Sequence, residues 1–391
     1  MRRLLFLSCA VVFLDVTFFS VLTPLLPSYE KDLHLSEGSA GLLAGAFAAG
    51  GLVFSIPAGW LAARIGSRKT VLCGLVGIAV FSPSFGFAND IVLLDIFRFL
   101  QGGAGALMWA GAIAWVVVAS PVDRRGEMLG IVIAAAVAGE LMGAPLGAVA
   151  HEVGTEIVFS IVFFAAAILG VIALGIPGAT DVESQPLAEA WRRLRRSDAP
   201  TGVLMLAAPS VAFGLAVVIG PLHMDALGAS PFLIAAAFAA GSVVELVVGP
   251  VIGRVSDRVG RTLPYLIGVG AMSVAVVALG LFDLLPLMFL VVMGLSFGAG
   301  LAFTPASTLV TDHASAAGVN QGYASGASNV AWGGGQVLGA AGGGMLAGLS
   351  GYLLPCLITA GLLVAVGIAA RSLGVGPPVI AESETGGTDG R

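Results

Sequence analysis

Long apolar runs alternate with short polar breaks along the whole chain. A helix needs about 20 apolar residues to cross a bilayer. On that rule twelve helical spans are predicted, at 4–27, 38–62, 70–88, 92–119, 128–150, 155–177, 200–222, 231–252, 263–282, 285–309, 320–346 and 351–371. The count turns on the shortest breaks, after the third and ninth spans. The longest polar connection falls midway and holds Pro186 and then Trp191-Arg192-Arg193-Leu194-Arg195-Arg196. The pattern predicts an all-α membrane protein with a six-helix half at 1–177, a cytoplasmic central loop at 178–199 and a second six-helix half at 200–372. Residues 373–391, with Gly374, Gly376, Pro377 and Pro378, are expected to form a disordered cytoplasmic tail.

Composition narrows this further. The 391 residues are 58% apolar and only 10% charged, whereas soluble domains carry roughly 25% charged residues. Gly, at 56 residues, is enriched where membrane helices pack closely. Cys9, Cys73 and Cys356 are odd in number and fall in apolar segments, so buried thiols are expected and no disulfide framework. Basic residues are scarce and sit on short loops, which excludes a nucleic-acid partner. The start, Arg2-Arg3 followed by an apolar run, resembles a signal peptide. That run, about 24 residues long, contains Asp15 and leads into no small-residue cleavage site, so it is read as the first span.

Charge sets orientation. With both termini inside, the cytoplasmic segments hold Arg2, Arg3, Arg64, Arg68, Lys69, Arg124, Arg125, Arg192, Arg193, Arg195, Arg196, Arg254, Arg258, Arg261, Arg371 and Arg391. The external loops hold only Lys31, and Arg98 lies within a span. Positive charge concentrates on the cytoplasmic side of membrane proteins, so this bias supports an even number of spans independently of hydropathy.

One eleven-residue pattern occurs twice. Gly59-Trp60-Leu61-Ala62-Ala63-Arg64-Ile65-Gly66-Ser67-Arg68-Lys69 is followed 194 positions later by Gly253-Arg254-Val255-Ser256-Asp257-Arg258-Val259-Gly260-Arg261-Thr262-Leu263. The offset is half the chain, and each copy sits where a long apolar segment meets a basic loop. Duplicated halves are how many secondary transporters are built.

Twelve spans in two halves, with such a loop after the second span of each, resemble the major facilitator superfamily. That family's loop motif is Gly-x-Leu-Ala-Asp-Arg-x-Gly-Arg-Lys. The first copy matches at Gly59, Leu61, Ala62, Arg64 and Gly66, with Arg68 and Lys69 displaced by Ser67. Ala63 replaces the family's Asp, while the second copy keeps the acid as Asp257, followed by Arg258, Gly260 and Arg261, after Gly253. The resemblance implies that acids and bases at these helix ends pair across the cytoplasmic face and hold one conformation shut. Arg98-Phe99-Leu100-Gln101-Gly102 resembles the family's Arg-x-x-Gln-Gly motif. Gly130, Gly139 and Gly143, with Ala144-Pro145-Leu146-Gly147, are similar to the antiporter motif of drug and proton exchangers, except that Ala144 precedes the Pro. Leu14-Asp15 with Pro24-Leu25-Leu26-Pro27 resembles the first span of vesicular amine transporters and related bacterial drug exporters.

Ionisable side chains inside a span are costly unless paired or hydrated, so each is a functional candidate. There are five: Asp15, Asp95, Arg98, Glu140 and Glu245. Arg98 is permanently charged and needs an acidic or dipolar partner. Asp95, three residues earlier on the same helix, is one candidate. Asp15 is the other, because the family layout lines the cavity with spans one, four, seven and ten. The pair could tune proton release or be a static ion pair. With Phe18 and Phe19 nearby, Asp15 could hold a cation or take a proton in its place; otherwise it serves only to pair with Arg98. The layout also packs spans five and eight together, with Glu140 and Glu245 at similar depth. Facing each other in low dielectric, the two cannot both be ionised and would share a proton; the alternative is two separate glutamates.

Two polar stripes follow helical spacing. Arg98, Gln101, Gly105 and Trp109 share one face of span four, and Ser325, Asn329, Trp332 and Gln336 share one face of span eleven. Such faces avoid lipid and form either pocket wall or helix contacts. His223 and His313, near span ends, are expected on the surface. No phosphate loop, metal cluster or catalytic triad appears. No cofactor, metal or enzymatic activity is therefore expected. The function implied is proton-coupled export of lipophilic or cationic small molecules from a monomer in the inner (plasma) membrane, its partners being substrate, protons and the bilayer. The alternatives are uptake of a neutral nutrient and a non-transporting receptor or scaffold on the same fold.

Overall fold

The computed structural model describes residues 2–121, 124–178, 186–319 and 321–372, without the side chains of Arg125, Leu187, Pro250, Gly253, Asp257, Gln321, Gly322 and Ser325. The expected tail lies outside these residues. The described chain is helical throughout, as a membrane solvent requires: no water is present to satisfy an unpaired N–H or C=O, and a helix bonds its own. In order the helices are α1 (Arg2–Ser20), α2 (Leu22–Asp32), α3 (Glu37–Ile65), α4 (Ser67–Gly86), α5 (Ile91–Ala119), α6 (Arg125–Val153), α7 (Thr155–Leu174) and α8 (Leu187–Arg196). Then come α9 (Ala199–Ala226), α10 (Pro231–Val259), α11 (Thr262–Leu281), α12 (Leu285–Ala316), α13 (Gln321–Val337), a π turn (Leu338–Gly342), α14 (Gly343–Ser350) and α15 (Leu353–Ser372).

Eleven of these stretches, counting α1 and α2 as one, are long and apolar enough to cross a membrane. The remaining predicted span, the eleventh, is helical over 321–350 but divided: α13 and α14 meet through the π turn. A π turn inserts a residue into the ladder and bends the helix. The central loop, read as a polar connection, contains α8.

Local signals set the boundaries identically in both halves. Ser36 caps α3 by accepting from the Ser39 N–H at 3.2 Å, and Ser230 caps α10 by accepting from Leu233 at 3.3 Å. Such hydroxyls satisfy N–H groups that have no partner within the helix. At the other end Gly66 (φ 88°) and Gly260 (φ 85°) turn the chain in the left-handed region that only Gly enters readily. These four positions are pairwise 194 apart. The end of the bundle with these glycine turns is the motif end; the opposite end is the far end.

Buried apolar side chains gather into two large clusters. One is drawn from 4–176 with Val218, Leu222 and Ala340, and the other from 205–370. The clusters meet where α6 packs on α10 and where α13, the π turn and α14 pack on α3. The joins are built from small residues: Ala144 and Ala148 meet Ala235, and a side chain on Gly41 would collide with the Ala340 carbonyl. Cys356 is buried, but Cys73 is exposed on α4, contrary to expectation, because its helix face turns away from the protein.

Candidate substrate and proton site

Asp15 is 3% exposed in the last third of α1. Its Oδ2 accepts from Trp109 Nε1 at 2.9 Å, while Oδ1 is buried without a hydrogen-bond partner. Gly105, one turn before Trp109, makes room: a Cβ there would strike the carboxyl group. The polar stripe on α5 thus faces α1, with Gly105 and Trp109 forming a socket for Asp15.

Arg98 occupies the same face two turns earlier and is 1% exposed. It forms a salt bridge with neither Asp15 nor Asp95, which corrects the expected pairing. Its Nη1 donates to the Phe18 carbonyl at 2.8 Å and to Gln101 Oε1 at 3.1 Å, and its Nη2 donates to the Phe19 carbonyl at 2.6 Å. Gln101 in turn donates to Ser82 Oγ at 3.0 Å. Pro24 contributes to a break here, since it has no N–H for the Ser20 carbonyl and its ring crowds that carbonyl. The helix breaks between α1 and α2, and the carbonyl dipoles just before the break become the partners of the guanidinium. The rings of Phe47 and Phe85, with centroids 4.8 and 5.7 Å away, cover it.

Phe18 and Phe19 part company. Phe18 was expected in the pocket, but it is 3% exposed and packs on Phe159 at 5.6 Å inside the first cluster. Phe19 faces the join between halves, 5.2 Å from Phe47 and 5.9 Å from Trp332. With Arg98, Thr23 and Val217 it lines a small cavity. The stripe on α13 also divides: Asn329 is exposed, Trp332 is half-buried and Gln336 is 1% exposed with its Nε2 unpartnered.

Glu140 on α6 and Glu245 on α10 lie in electrostatic range of each other across the join. Both are half-buried, and neither forms a salt bridge among the described residues. Glu140 also reaches a pocket in the second half whose walls include Phe213, Val217, Phe238 and Ser296.

The antiporter-like motif is a packing ladder. A side chain on Gly139, Gly143 or Gly147 would run into the carbonyls of Phe13, Thr17 and Val21 in turn, so α6 rides directly on the α1 backbone. Pro145, partly buried, lies within this contact. A second ladder was not read from the sequence: Gly335, Gly339 and Gly343 meet Ala207, Val211 and Leu215 on α9. Its signal was present, since the glycines recur 196 residues on and the partners 194 residues on.

At the motif end no ion pair joins the loop residues across the two halves among the described residues. A side chain on Gly59 would meet open space, and Arg64, beyond it, lies over the Trp60 ring at 5.0 Å. Arg68 donates to the Ile176 carbonyl at 3.3 Å, and Arg261 pairs with Asp312 on α12 in its own half. Arg258 is exposed; Gly253 and the Asp257 side chain lie outside the described residues. The halves are tied instead at the far end, where Lys31 Nζ meets Asp225 Oδ1 at 2.7 Å. These two residues are themselves 194 apart, so the pair joins equivalent positions. Nearby His223 is 3% exposed, against expectation, because the Leu279 carbonyl at 2.9 Å and Asp283 at 3.0 Å bind its two nitrogens. His313 is likewise buried, at 8% exposure.

Comparison with known proteins fits this architecture. Residues 8–332 match the family model described as Major Facilitator Superfamily. The chain belongs to that superfamily and is a multi-pass membrane protein of its type. It is 32% identical over 135 residues to an MFS-type transporter, ppzB, of Metarhizium rileyi, covering 33% of this chain and 28% of that one. Over 131 residues it is 32% identical to the tetracenomycin C resistance and export protein of Streptomyces glaucescens, covering 33% and 24%. Multidrug resistance protein 2 of Bacillus subtilis is 30% identical over 129 residues, covering 33% and 32%. The matched stretch thus spans about a third or less of these relatives' lengths. The fold is similar to a solved bacterial homologue of the human lysosomal transporter Spinster, inward-facing and unoccupied, with TM-score 0.72 and 16% identity over 95% of this chain and 97% of that one.

Proposed function

We propose that the chain is a proton-coupled exporter of lipophilic, cationic small molecules, working by alternating access between the halves 1–177 and 200–372. One observation carries the reading. Glu140 and Glu245 stand on opposite halves, in range of each other and without a basic partner among the described residues, beside a pocket containing Phe213 and Phe238. Two carboxyl groups in low dielectric hold one proton between them more readily than two charges. A lipophilic cation placing its charge there and its apolar body against the phenylalanines would displace that proton. Protonation from outside would expel the cation, and release of the proton inside would restore affinity. Asp15, with one free oxygen, is a second proton acceptor on the same path. A proton moving inward down 100 mV supplies about 2.3 kcal/mol. The relatives named for tetracenomycin export and multidrug resistance favour the outward direction.

In this reading the motif end faces the cytoplasm, with both termini, and the protein is a monomer in the plasma (inner) membrane. The sorting of basic residues supports the orientation. The test is proton flux in proteoliposomes with an internal pH dye and a panel of lipophilic cations and neutral compounds. Flux should follow cations and disappear in Glu245→Gln. Cation-driven flux that persists in that variant removes the glutamate pair from the mechanism, and flux with a sugar or amino acid alone replaces export by nutrient transport.

A further inference from the structure

We infer that α8 is a docking surface for anionic lipid headgroups. Its inner face is set by Ala190 (1% exposed) and Leu194 (7%), which pack with Ala314, Val319 and Ala324 beneath the second half. Arg193 belongs to that inner side, paired with Glu189 and donating to the Gly318 carbonyl at 3.4 Å. At 100° per residue the opposite arc reads Trp191, Arg195, Arg192, Arg196. All four are exposed, Trp191 at 58%. The three arginines make no ion pair or hydrogen bond among the described residues.

Placement decides the partner. α8 lies between the motif-end termini of α7 and α9, both membrane-crossing helices, and is held there by its apolar face. It therefore lies at the level where the bilayer meets water. Trp is favoured at that level, its ring apolar and its N–H able to reach water and headgroups. Clustered basic residues beside a membrane helix attract anionic lipid, each contributing about a fivefold gain in affinity at the surface. Guanidinium groups also bind phosphate through paired donors, which a neutral polar face could not. An exposed arc of three unpaired arginines and one tryptophan has the charge and amphipathic character of that surface. Two acidic segments of this chain, around Asp181–Glu183 and Glu382–Asp389, lie outside the described residues and are the competing occupants.

Full-length protein is purified, reconstituted in nanodiscs of phosphatidylcholine with and without phosphatidylglycerol, and examined by native mass spectrometry for retained lipid. Wild type should retain phosphatidylglycerol selectively. The triple variant Arg192→Gln, Arg195→Gln, Arg196→Gln should lose on the order of a hundredfold in that preference. Replacing the same arginines with Lys should restore most of it, showing that the glutamine variant is folded. Salt should weaken wild-type retention and leave the glutamine variant unchanged. Equal retention by wild type and the glutamine variant overturns the proposal. So does retention that appears only after removal of 373–391, which would assign the arc to the chain's own acidic tail.

Discussion

The two halves share a scaffold but not its charges. In the first, α6 rides on α1 through Gly139, Gly143 and Gly147; in the second, α13, the π turn and α14 ride on α9 through Gly335, Gly339 and Gly343. The residue after the first glycine of each ladder is Glu140 in one and Gln336 in the other. Opposite Asp15 in the α1 register stands Pro209, and opposite Arg98 in the α5 register stands Val292. Duplication thus preserved the residues that fix helix separation, while ionisable groups concentrate in one copy. A glycine in backbone contact has no substitute, because a Cβ meets a carbonyl at every rung but Gly343, where it meets the Leu215 side chain. A buried charge is costly wherever it is not used.

The comparison can be broken most severely at the charged positions. Glu140→Gln should abolish cation-driven proton flux, whereas Gln336→Met, at the equivalent place, should retain most of it, as read by the internal pH dye. Loss in both would mean that the position matters for packing and not for its proton. Next come the ladders. Gly143→Val and Gly339→Val each push a side chain into backbone, at Thr17 and Val211. Overpacking costs about 1–3 kcal/mol and more where backbone must move, so both should lower the melting temperature in detergent by similar amounts. A large loss in one and none in the other would show that the ladders are not equivalent.

Arg98→Met should follow. It removes two charged hydrogen bonds to the α1 carbonyls, worth about 1.5–3 kcal/mol each, and thermal unfolding should register the loss. Arg98→Lys should recover only part, because the forked donors are gone. The smallest effect is expected at the far end. Lys31 is 63% exposed in its pair with Asp225, so the interaction is worth less than about 1 kcal/mol. Lys31→Ala should nevertheless shift spin-label distances across that end toward opening. The swap Lys31→Asp with Asp225→Lys should return them; a swap that behaves like the single variant would remove the pair from gating.

Length and hydropathy made the helices legible, since each span must carry its own backbone hydrogen bonds and bury its own apolar length in lipid. The offset of 194 made the duplication legible, and the family motifs led to the superfamily that the family match then established. Asp15, Arg98, Glu140 and Glu245 stood out because charge in a span is rare. The approach of Glu140 to Glu245 was one of two alternatives the family layout offered, but the partners of Asp15 and Arg98 were not legible. Arg98 was assigned an acid by the rule that charges seek opposite charges, but the Phe18 and Phe19 carbonyls beside the α1–α2 break answer it instead, and no side-chain pattern encodes a carbonyl. His223 and His313 read as surface residues because helix ends are polar, yet α9 and α12 bring them under neighbouring elements.

What the sequence determined by itself was therefore the local and the repeated: helix lengths, caps at Ser36 and Ser230, turns at Gly66 and Gly260, and the side bias of basic residues. Each depends on a few adjacent side chains or on the bilayer. Only the tertiary structure decided that Asp15 sits in a socket of Gly105 and Trp109, that Glu140 comes within range of Glu245, that Lys31 joins Asp225 and that Arg261 joins Asp312. These contacts join helices distant in sequence, and the orientation of one helix against another is fixed by interlocking surfaces and glycine contacts summed along both.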